Sequence, residues 1–161
     1  MTQNKHDLKD DIGYWLNRLR MQVHQGFEAR LKTYDITVAQ WCILCALYNE
    51  EAISITELSK FIEVDKASIS RVVDRLLAKK LVTHHQGMDR RSGHIKLTLK
   101  GHEVVPRLME AAQENEQQFF GCLTGEESEQ LQHLFQKLFI NLPSIQLSGW
   151  LSNIKRKIEN E

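Results

Sequence analysis

The chain has 161 residues, of which 42% are hydrophobic, and its formal net charge is zero. This composition supplies enough apolar side chains for a packed core, which excludes a disordered chain. No uncharged apolar run reaches the roughly 18 residues that a membrane span needs, and the N-terminal MTQNKHDLKDD lacks the apolar region of a signal peptide. We therefore expect a cytoplasmic protein that has no membrane partner and no disulfide framework among its three cysteines.

The charge is distributed unevenly along the chain. Residues 54–100 contain 10 Lys and Arg against 5 Asp and Glu, whereas residues 1–53 and 101–161 carry an excess of acidic side chains. A basic segment between neutral and acidic ends is typical of a surface that binds a polyanion, although a solvated face has the same composition.

Two helices are predicted in the N-terminal third. Apolar residues recur every three or four positions over residues 8–32, which indicates an amphipathic helix of about six turns. Thr37 and Gln40 have the spacing of a capping box, so a second helix is expected through TVAQWCILCALYNE. With only two prolines in the chain, we expect a mainly α-helical protein.

The next two predicted helices are short and close together. Ser54 or Thr56 begins the first, ITELSKFIE, and Asp65 is a good N-cap for the second, KASISRVVDRLLAKK. The second helix has one apolar face, formed by Ile69, Val72, Val73, Leu76 and Leu77. Its opposite face carries small polar and basic residues, which is the pattern of a helix-turn-helix.

A β-hairpin follows this pair of helices. Residues 81–84 and 94–98 alternate between apolar and polar side chains, as half-buried strands do, and HHQGMDRRSG (residues 84–93) forms the loop between them. In this position the hairpin is a wing. Thr98 can cap a long helix from about residue 99 to 122, and Thr124 and Glu127 form a capping box for a helix to about residue 141. A last amphipathic segment covers residues 144–161.

With this order of elements, the chain resembles the MarR family of bacterial transcription regulators. The resemblance rests on TVAQWCILCAL, ITELSKFIEVDKASISRVVDRLLAKKLV, DRRSGHIKLTLKG and LTGEESEQL, which together cover roughly residues 8–141. It implies one domain over residues 1–161, with residues 8–35 and 99–161 as a helical dimerisation region and residues 37–98 as a winged helix-turn-helix lobe. It further implies a homodimer on double-stranded DNA, a wing in the minor groove and a crevice for a small molecule between dimerisation helices and lobe.

The outward face of the recognition helix predicts the DNA contacts. Ala67, Ser68, Arg71 and Arg75 project from it, and an arginine there can make a bidentate contact to guanine. Lys66 and Ser70 are expected to reach phosphates, which positions the protein without reading sequence.

The wing loop supplies a second set of predicted contacts. Arg91 is the expected minor-groove residue, Asp89 can pair with Arg91 and orient it, and Arg90 is expected to contact a phosphate. The solvated polar turn is the alternative for DRRSG by itself. A dimer should bind inverted half-sites about 10 bp apart.

Arg20 suggests an effector site, because helical spacing places it beside Leu16, Val23 and Phe27 on the apolar face of the first helix. A buried arginine requires an anionic partner. That partner is either a small aromatic effector, phenolic or carboxylate as the resemblance implies, or a carboxylate across the dimer interface; a snorkelling side chain is a third reading. The other candidate ligand contacts are Tyr14, Trp15, Arg18, His24 and Trp41.

Other functions have weaker support. Cys42 and Cys45 share one side of a helix, which suggests core packing first, then a thiol switch, and last a metal site, since structural zinc needs four ligands. No phosphate loop, nucleophile elbow or pair of catalytic carboxylates is visible, so we expect neither an enzyme nor a bound metal or cofactor. The predicted function is a dimeric repressor released by an aromatic ligand; a thiol-switched repressor and a winged-helix module that binds protein are the alternatives.

Overall fold

The computed structural model describes residues 7–50, 53–86 and 93–141. The fold is mainly α-helical with one two-stranded antiparallel sheet, as the sequence predicted. The elements in chain order are α1 (Ile12–Lys32), α2 (Val38–Tyr48), α3 (Ile55–Ile62), α4 (Lys66–Ala78), β1 (Val82–Gln86), β2 (Gly93–Leu97), α5 (Leu99–Phe120) and α6 (Gly125–Ile140).

The first helix begins later than its apolar spacing predicted. Residues Leu8–Asp10 form a short 3-10 turn, and α1 starts only at Ile12. The carboxylates of Asp7 and Asp11 each accept backbone N–H groups two or three residues further along, so the chain caps two helices in succession. The apolar spacing continues across this break, which is why periodicity alone predicted one helix.

The other helices begin at the predicted caps. Thr37 and Thr124 form the two predicted capping boxes. Ser54, and not Thr56, is the N-cap of α3, where it forms a third capping box. Asp65 caps α4 through its carboxylate. These starts were predictable because each cap bonds a backbone N–H only three residues away.

The hairpin pairs β1 with β2 in antiparallel register, with Val82 opposite Leu97 and His84 opposite Ile95. Its strands, residues 82–86 and 93–97, are displaced by one or two residues from the predicted 81–84 and 94–98. The shift at the second strand has a simple cause: the Thr98 side chain accepts the N–H of Gly101 and therefore begins α5.

One apolar core joins the hairpin and α2 to α4 with α1 and α5. Leu44, Leu58, Leu76 and Ile95 are fully buried in it, together with Val105 of α5. Gly101 allows α5 to enter this core, because a Cβ at that position would collide with the carbonyl oxygen of Leu81. The start of α5 is thereby fixed against the end of α4. Helix α5 ends at Phe120, two residues before its predicted end.

Candidate nucleic-acid interface and effector pocket

Helix α4 has one buried and one exposed face. Ile69, Val73 and Leu76 are buried in the core, and Val72 and Leu77 are half-buried, so the predicted apolar face is confirmed. Lys66, Ala67, Ser70, Arg71 and Arg75 are exposed, and Ser68 is partly exposed. The polar and basic face of a helix-turn-helix is therefore presented to solvent, where a DNA groove can receive it.

The Arg71 side chain lies back along the exposed face towards the start of α4. Its Nε donates to the carbonyl oxygen of Ala67 at 3.3 Å, and its Nη2 donates to Oγ of Ser68 at 3.4 Å. These contacts hold the guanidinium beside the small residues of the first turn, where a groove floor would approach closest. The contacts leave further guanidinium N–H groups to meet a base edge.

Asp65 organises the first turn of the same helix. Its Oδ1 accepts the N–H of Ser68 at 2.9 Å. Hydrogen bonds from the Ser68 side chain and backbone, and the nearby charge of Arg71, hold the pKa of Asp65 below its ordinary value. The carboxylate therefore stays ionised and fixes the end of the helix that carries the predicted base contacts.

Residues 87–92 of the wing loop lie outside the described residues, and with them Asp89, Arg90 and Arg91. Their predicted roles stay predictions. The strands that carry the loop are described, and β2 is attached to the lobe, since the N–H of Ile95 donates to the carbonyl oxygen of Ile53 at 2.7 Å. The predicted C-terminal segment, residues 144–161, also lies outside the described part of the chain.

Two residues, one on the exposed face of α4 and one at its C-cap, were not among the predicted site residues. Asp74 is exposed on the same face as Ala67 and Arg71, which the 100° helical spacing could have shown. Lys79, the C-cap residue, contacts the turn between α1 and α2, to which no sequence pattern points.

A pocket of about 330 Å³ lies where α1, α5 and α6 meet. Two of the candidate ligand residues, Arg20 and His24, line it. The rest of its wall is mostly apolar and aromatic: Leu16, Leu19, Val23, Phe27, Asn115, Phe120 and Phe135. An apolar cavity of this size with few polar groups is a typical small-molecule site.

The Arg20 side chain is exposed, which corrects the prediction that it is buried. Its Nη2 donates to Oδ1 of Asn17 at 3.4 Å. The helical spacing placed Arg20 on the correct face of α1, beside Leu16 and Val23, but packing against α5 and α6 covers that face only in part. A guanidinium at the rim of the pocket can meet an anionic ligand without the cost of full burial.

The remaining candidate ligand residues do not line this pocket. Tyr14 and Trp15 contact each other edge to face, with ring centroids 5.8 Å apart, and Arg18 is exposed on the same helix. Trp41 packs edge to face on Phe27, with centroids 5.9 Å apart, as a side chain at the edge of the core. Their roles in binding a ligand stay predictions.

A polar cluster around the buried Asn115 fixes α1 against α5 beside the pocket. Asn115 is only 5% exposed; its Nδ2 donates to the carbonyl oxygen of Val23 at 3.2 Å, and its Oδ1 accepts from Arg30 at 3.4 Å. Arg30 also donates to Gln118 at 2.7 Å. Gly26 lies at this crossing, where a Cβ would be 2.6 Å from the Phe119 ring. The pocket wall is therefore built by helices in close, bonded contact.

The two cysteines of α2, Cys42 and Cys45, are half-buried, and neither belongs to the apolar core. Burial is the main cause that raises the pKa of the Cys42 thiol above its ordinary value, and the neighbouring Cys45 raises this pKa further. A raised pKa keeps the sulfur protonated, and the thiol is a poor nucleophile compared with the thiolate. Cys42 therefore lacks the lowered pKa that is typical of a reactive cysteine.

Residues 7–50, 53–86 and 93–141 contain neither a cluster of metal ligands nor a helix that could span a membrane. In those residues, no three His, Cys, Asp or Glu side chains are grouped so that they could hold a metal ion. No helix of that part of the chain is both long and apolar enough to cross a bilayer.

The comparisons with known proteins agree with this architecture. The family model "MarR family" matches residues 34–92. The multiple antibiotic resistance protein MarR of Escherichia coli is 31% identical over 129 residues, which cover 76% of this chain and 90% of the relative. The chain belongs to the MarR family. Its relatives are regulators of transcription and not enzymes, as the sequence predicted.

Further members of the family extend the comparison. The transcriptional repressor IacR of Pseudomonas putida is 29% identical over 133 residues, which cover 82% of this chain and 80% of the relative. The crystal structure of an Escherichia coli MarR variant with operator DNA matches at a TM-score of 0.73 and 28% identity, covering 86% of this chain and all of that one. Bordetella bronchiseptica BpsR, whose DNA binding is regulated by 6-hydroxynicotinic acid, matches at a TM-score of 0.74 and 27% identity, covering 84% and 99%. The fold is thus the winged helix-turn-helix of MarR-family DNA-binding regulators.

Proposed function

We propose that this chain is a homodimeric, sequence-specific repressor that a small aromatic ligand, phenolic or carboxylate, releases from a palindromic operator. The observation that carries the DNA-binding part is the exposed face of α4, where small residues stand beside two arginines. Small residues allow the helix axis to approach the groove floor, and arginine is the side chain best suited to guanine.

Within this proposal, the residues of α4 divide into two roles. Arg71 and Arg75 read base edges, with Ala67 and Ser68 as close neighbours, while Lys66 and the exposed Ser70 contact phosphates. Loss of a base contact should weaken operator binding and relax specificity, and loss of a phosphate contact should weaken all DNA binding alike.

The wing has its own role in the proposal. Arg91 enters the minor groove, Asp89 orients it, and Arg90 contacts a phosphate. Arg91→Ala should reduce operator affinity by about 1–3 kcal/mol. Unchanged affinity on the operator would remove Arg91 from this role.

The dimer is supported by apolar side chains left exposed on the helical region. Ile12 is 81% exposed, Trp15 57% and Leu138 60%. Large apolar side chains clustered on an exposed surface mark protein interfaces, and residues 8–35 and 99–161 are the proposed dimerisation region. Two copies joined there would present two α4 helices to major grooves about one helical turn apart.

The effector part is supported by the pocket between α1, α5 and α6. Phe27, Phe120 and Phe135 provide surfaces for an aromatic ring, and Arg20 provides a bidentate donor for a carboxylate. His24 supplies a further ring nitrogen, and its Nε2 lies 3.4 Å from Oε1 of Glu28. The effector of the BpsR neighbour, a hydroxylated heteroaromatic acid, has the same combination of ring and acid. Helices α1 and α5 line the pocket, and both also pack against α2 of the lobe, so ligand binding can alter the spacing of the α4 helices.

Two experiments test the proposal. Fluorescence anisotropy on DNA from upstream of its own gene, with and without a panel of aromatic acids, measures binding and release. Steep weakening with salt is expected because phosphate contacts release counterions. If this fragment does not bind, selection from random duplexes follows; failure there would favour the module that binds protein.

A matched pair of variants tests the pocket. Arg20→Met should bind DNA as the parent does but lose release by the acid, whereas Arg107→Met removes the same charge from an exposed position of α5 outside the pocket and should keep release. Loss of release in Arg107→Met alone would place the acid elsewhere. Peroxide that dissociates the parent but not a variant with serine at Cys42 and Cys45 would support the thiol switch instead.

A further inference from the structure

The side chain of Lys79 connects the end of the recognition helix to a distant turn. Lys79 is the C-cap residue of α4, and its side chain is 28% exposed. Its Nζ donates to the carbonyl oxygen of Asp35 and lies 3.0 Å from Oδ2 of the same residue. Nζ also donates to Oε1 of Gln40 at 3.3 Å. An ammonium group has three N–H donors, so these three acceptors use all of them.

The acceptors lie at the start of α2 and in the turn before it, and only the Asp35 carboxylate is fully open to solvent, with its side chain 93% exposed. Asp35 lies in the turn between α1 and α2 with φ 55°, and Gln40 in the first turn of α2 is only 2% exposed. Oε1 of Gln40 also accepts the N–H of Thr37 in the capping box of α2. Lys79 thus bonds a buried amide oxygen and a turn carbonyl, which distinguishes it from a surface ion pair of two mobile side chains.

The same end of α4 is held from the side of α5. The carbonyl oxygen of Lys79 accepts from Nζ of Lys100 at 3.1 Å, and that of Lys80 accepts from Oγ1 of Thr98 at 2.7 Å. The C-terminal end of the recognition helix is therefore fixed to α2, to the turn before α2 and to the start of α5, opposite to the end that carries Ala67.

The geometry of a helix makes this point mechanically important. Twelve residues separate Ala67 from Lys79, which is about 18 Å at 1.5 Å per residue. A tilt of about 5° at the anchor would move the first turn by roughly 1.5 Å, enough to break bidentate contacts to base edges. We propose that Lys79 is a positioning residue for DNA recognition, which acts through Asp35 and Gln40 and not through a phosphate. The proposal rests on the proposed function only in that the chain binds DNA.

Three variants test the proposal on the full-length protein, with affinities for operator and for unrelated duplex measured at several salt concentrations. Lys79→Met keeps the aliphatic chain and removes the anchor, and should weaken operator binding by about five- to tenfold. Asp35→Asn keeps a residue type that tolerates positive φ and should weaken binding by about two- to fivefold, with the double variant no weaker than Lys79→Met. Lys80→Met removes a neighbouring exposed charge and is the control.

The sign of the Asp35→Asn effect distinguishes the two roles of Lys79. If Lys79 contacted a phosphate, removal of a negative charge at Asp35 would tighten DNA binding, and Lys79→Met would lower the salt slope by about 1. Positioning predicts weaker operator binding in both variants, an unchanged salt slope and little effect on unrelated duplex.

Unchanged operator affinity in Lys79→Met, or tighter binding in Asp35→Asn, overturns the inference alone. Absence of any DNA binding by the parent protein overturns the proposed function as well. Thermal unfolding of each variant, expected at the parent temperature within a few degrees, separates positioning from loss of the fold. If Lys79→Met unfolds well below the parent's melting temperature, the direction of the change in operator affinity of Asp35→Asn decides between the two roles.

Discussion

Replacement of Gly26 by alanine tests the close crossing of α1 and α5. An added Cβ would lie 2.6 Å from Cε2 of Phe119 and 2.8 Å from Oδ1 of Asn115. Phe119 must then leave its place, or the bonds of Asn115 to Val23 and Arg30 must lengthen. Overpacking of this kind costs about 1–3 kcal/mol. Alanine regains about 0.5–1 kcal/mol of helix propensity, so the net loss should be about 1 kcal/mol at the middle of these ranges and at most about 2.5 kcal/mol.

Urea unfolding at a fixed protomer concentration measures this loss, because the stability of a dimer depends on concentration. The midpoint should fall with an unchanged slope, and the melting temperature should fall by roughly 2–8 °C. Gly125→Ala is the matched control, since a Cβ at the start of α6 meets nothing within 4 Å and should be neutral or slightly stabilising. A Gly26→Ala protein as stable as the control would refute the tight crossing and, with it, the described wall of the pocket.

Three further predictions concern the lobe. Asp65→Ala should lower the urea midpoint, since the N–H of Ser68 loses its acceptor; an unchanged midpoint would contradict the cap. A backbone hydrogen bond from Ile53 is the main cause of the lowered pKa of Glu57. The ionised Glu57 carboxylate should therefore stabilise the fold above the ordinary glutamate pKa. This stabilisation should be lost as the pH falls through the lower pKa of the folded state. In Glu57→Gln, the free energy of unfolding should fall less steeply as the pH is lowered. A fall as steep as the parent's would show that Glu57 does not contribute to the acid dependence of stability. Arg71→Ala should weaken operator binding by about 1–3 kcal/mol without destabilising the fold; in an anisotropy titration, equal loss on unrelated duplex would make Arg71 a phosphate contact.

The candidate DNA interface followed from the sequence to the extent that it is local. The exposed face of α4 and its cap at Asp65 depend on helical spacing and on a bond between residues three apart. One helix can be assigned an inner and an outer face from its own residues, because burial of its apolar face against some core is the only requirement.

The effector site was predictable only in part. Arg20 and His24 line the pocket, whereas Trp41 packs on Phe27 at the edge of the core. Periodicity gives the face of α1, but the part of that face that stays open depends on where α5 and α6 cross it. Phe120 and Phe135, which complete the pocket, are far from α1 in the chain and carry no local signal.

The sequence by itself determined the starts of α2 to α6, the presence of the hairpin and the polar face of the recognition helix, because interactions between near neighbours establish all three. The tertiary structure decided the rest. The contact of Lys79 with Gln40 spans 39 residues and that of Arg30 with Gln118 spans 88, and Asn115 is buried between α1 and α5. Contacts of this kind arise only when separate helices pack together, because a polar side chain then bonds whichever partner the packing brings within reach.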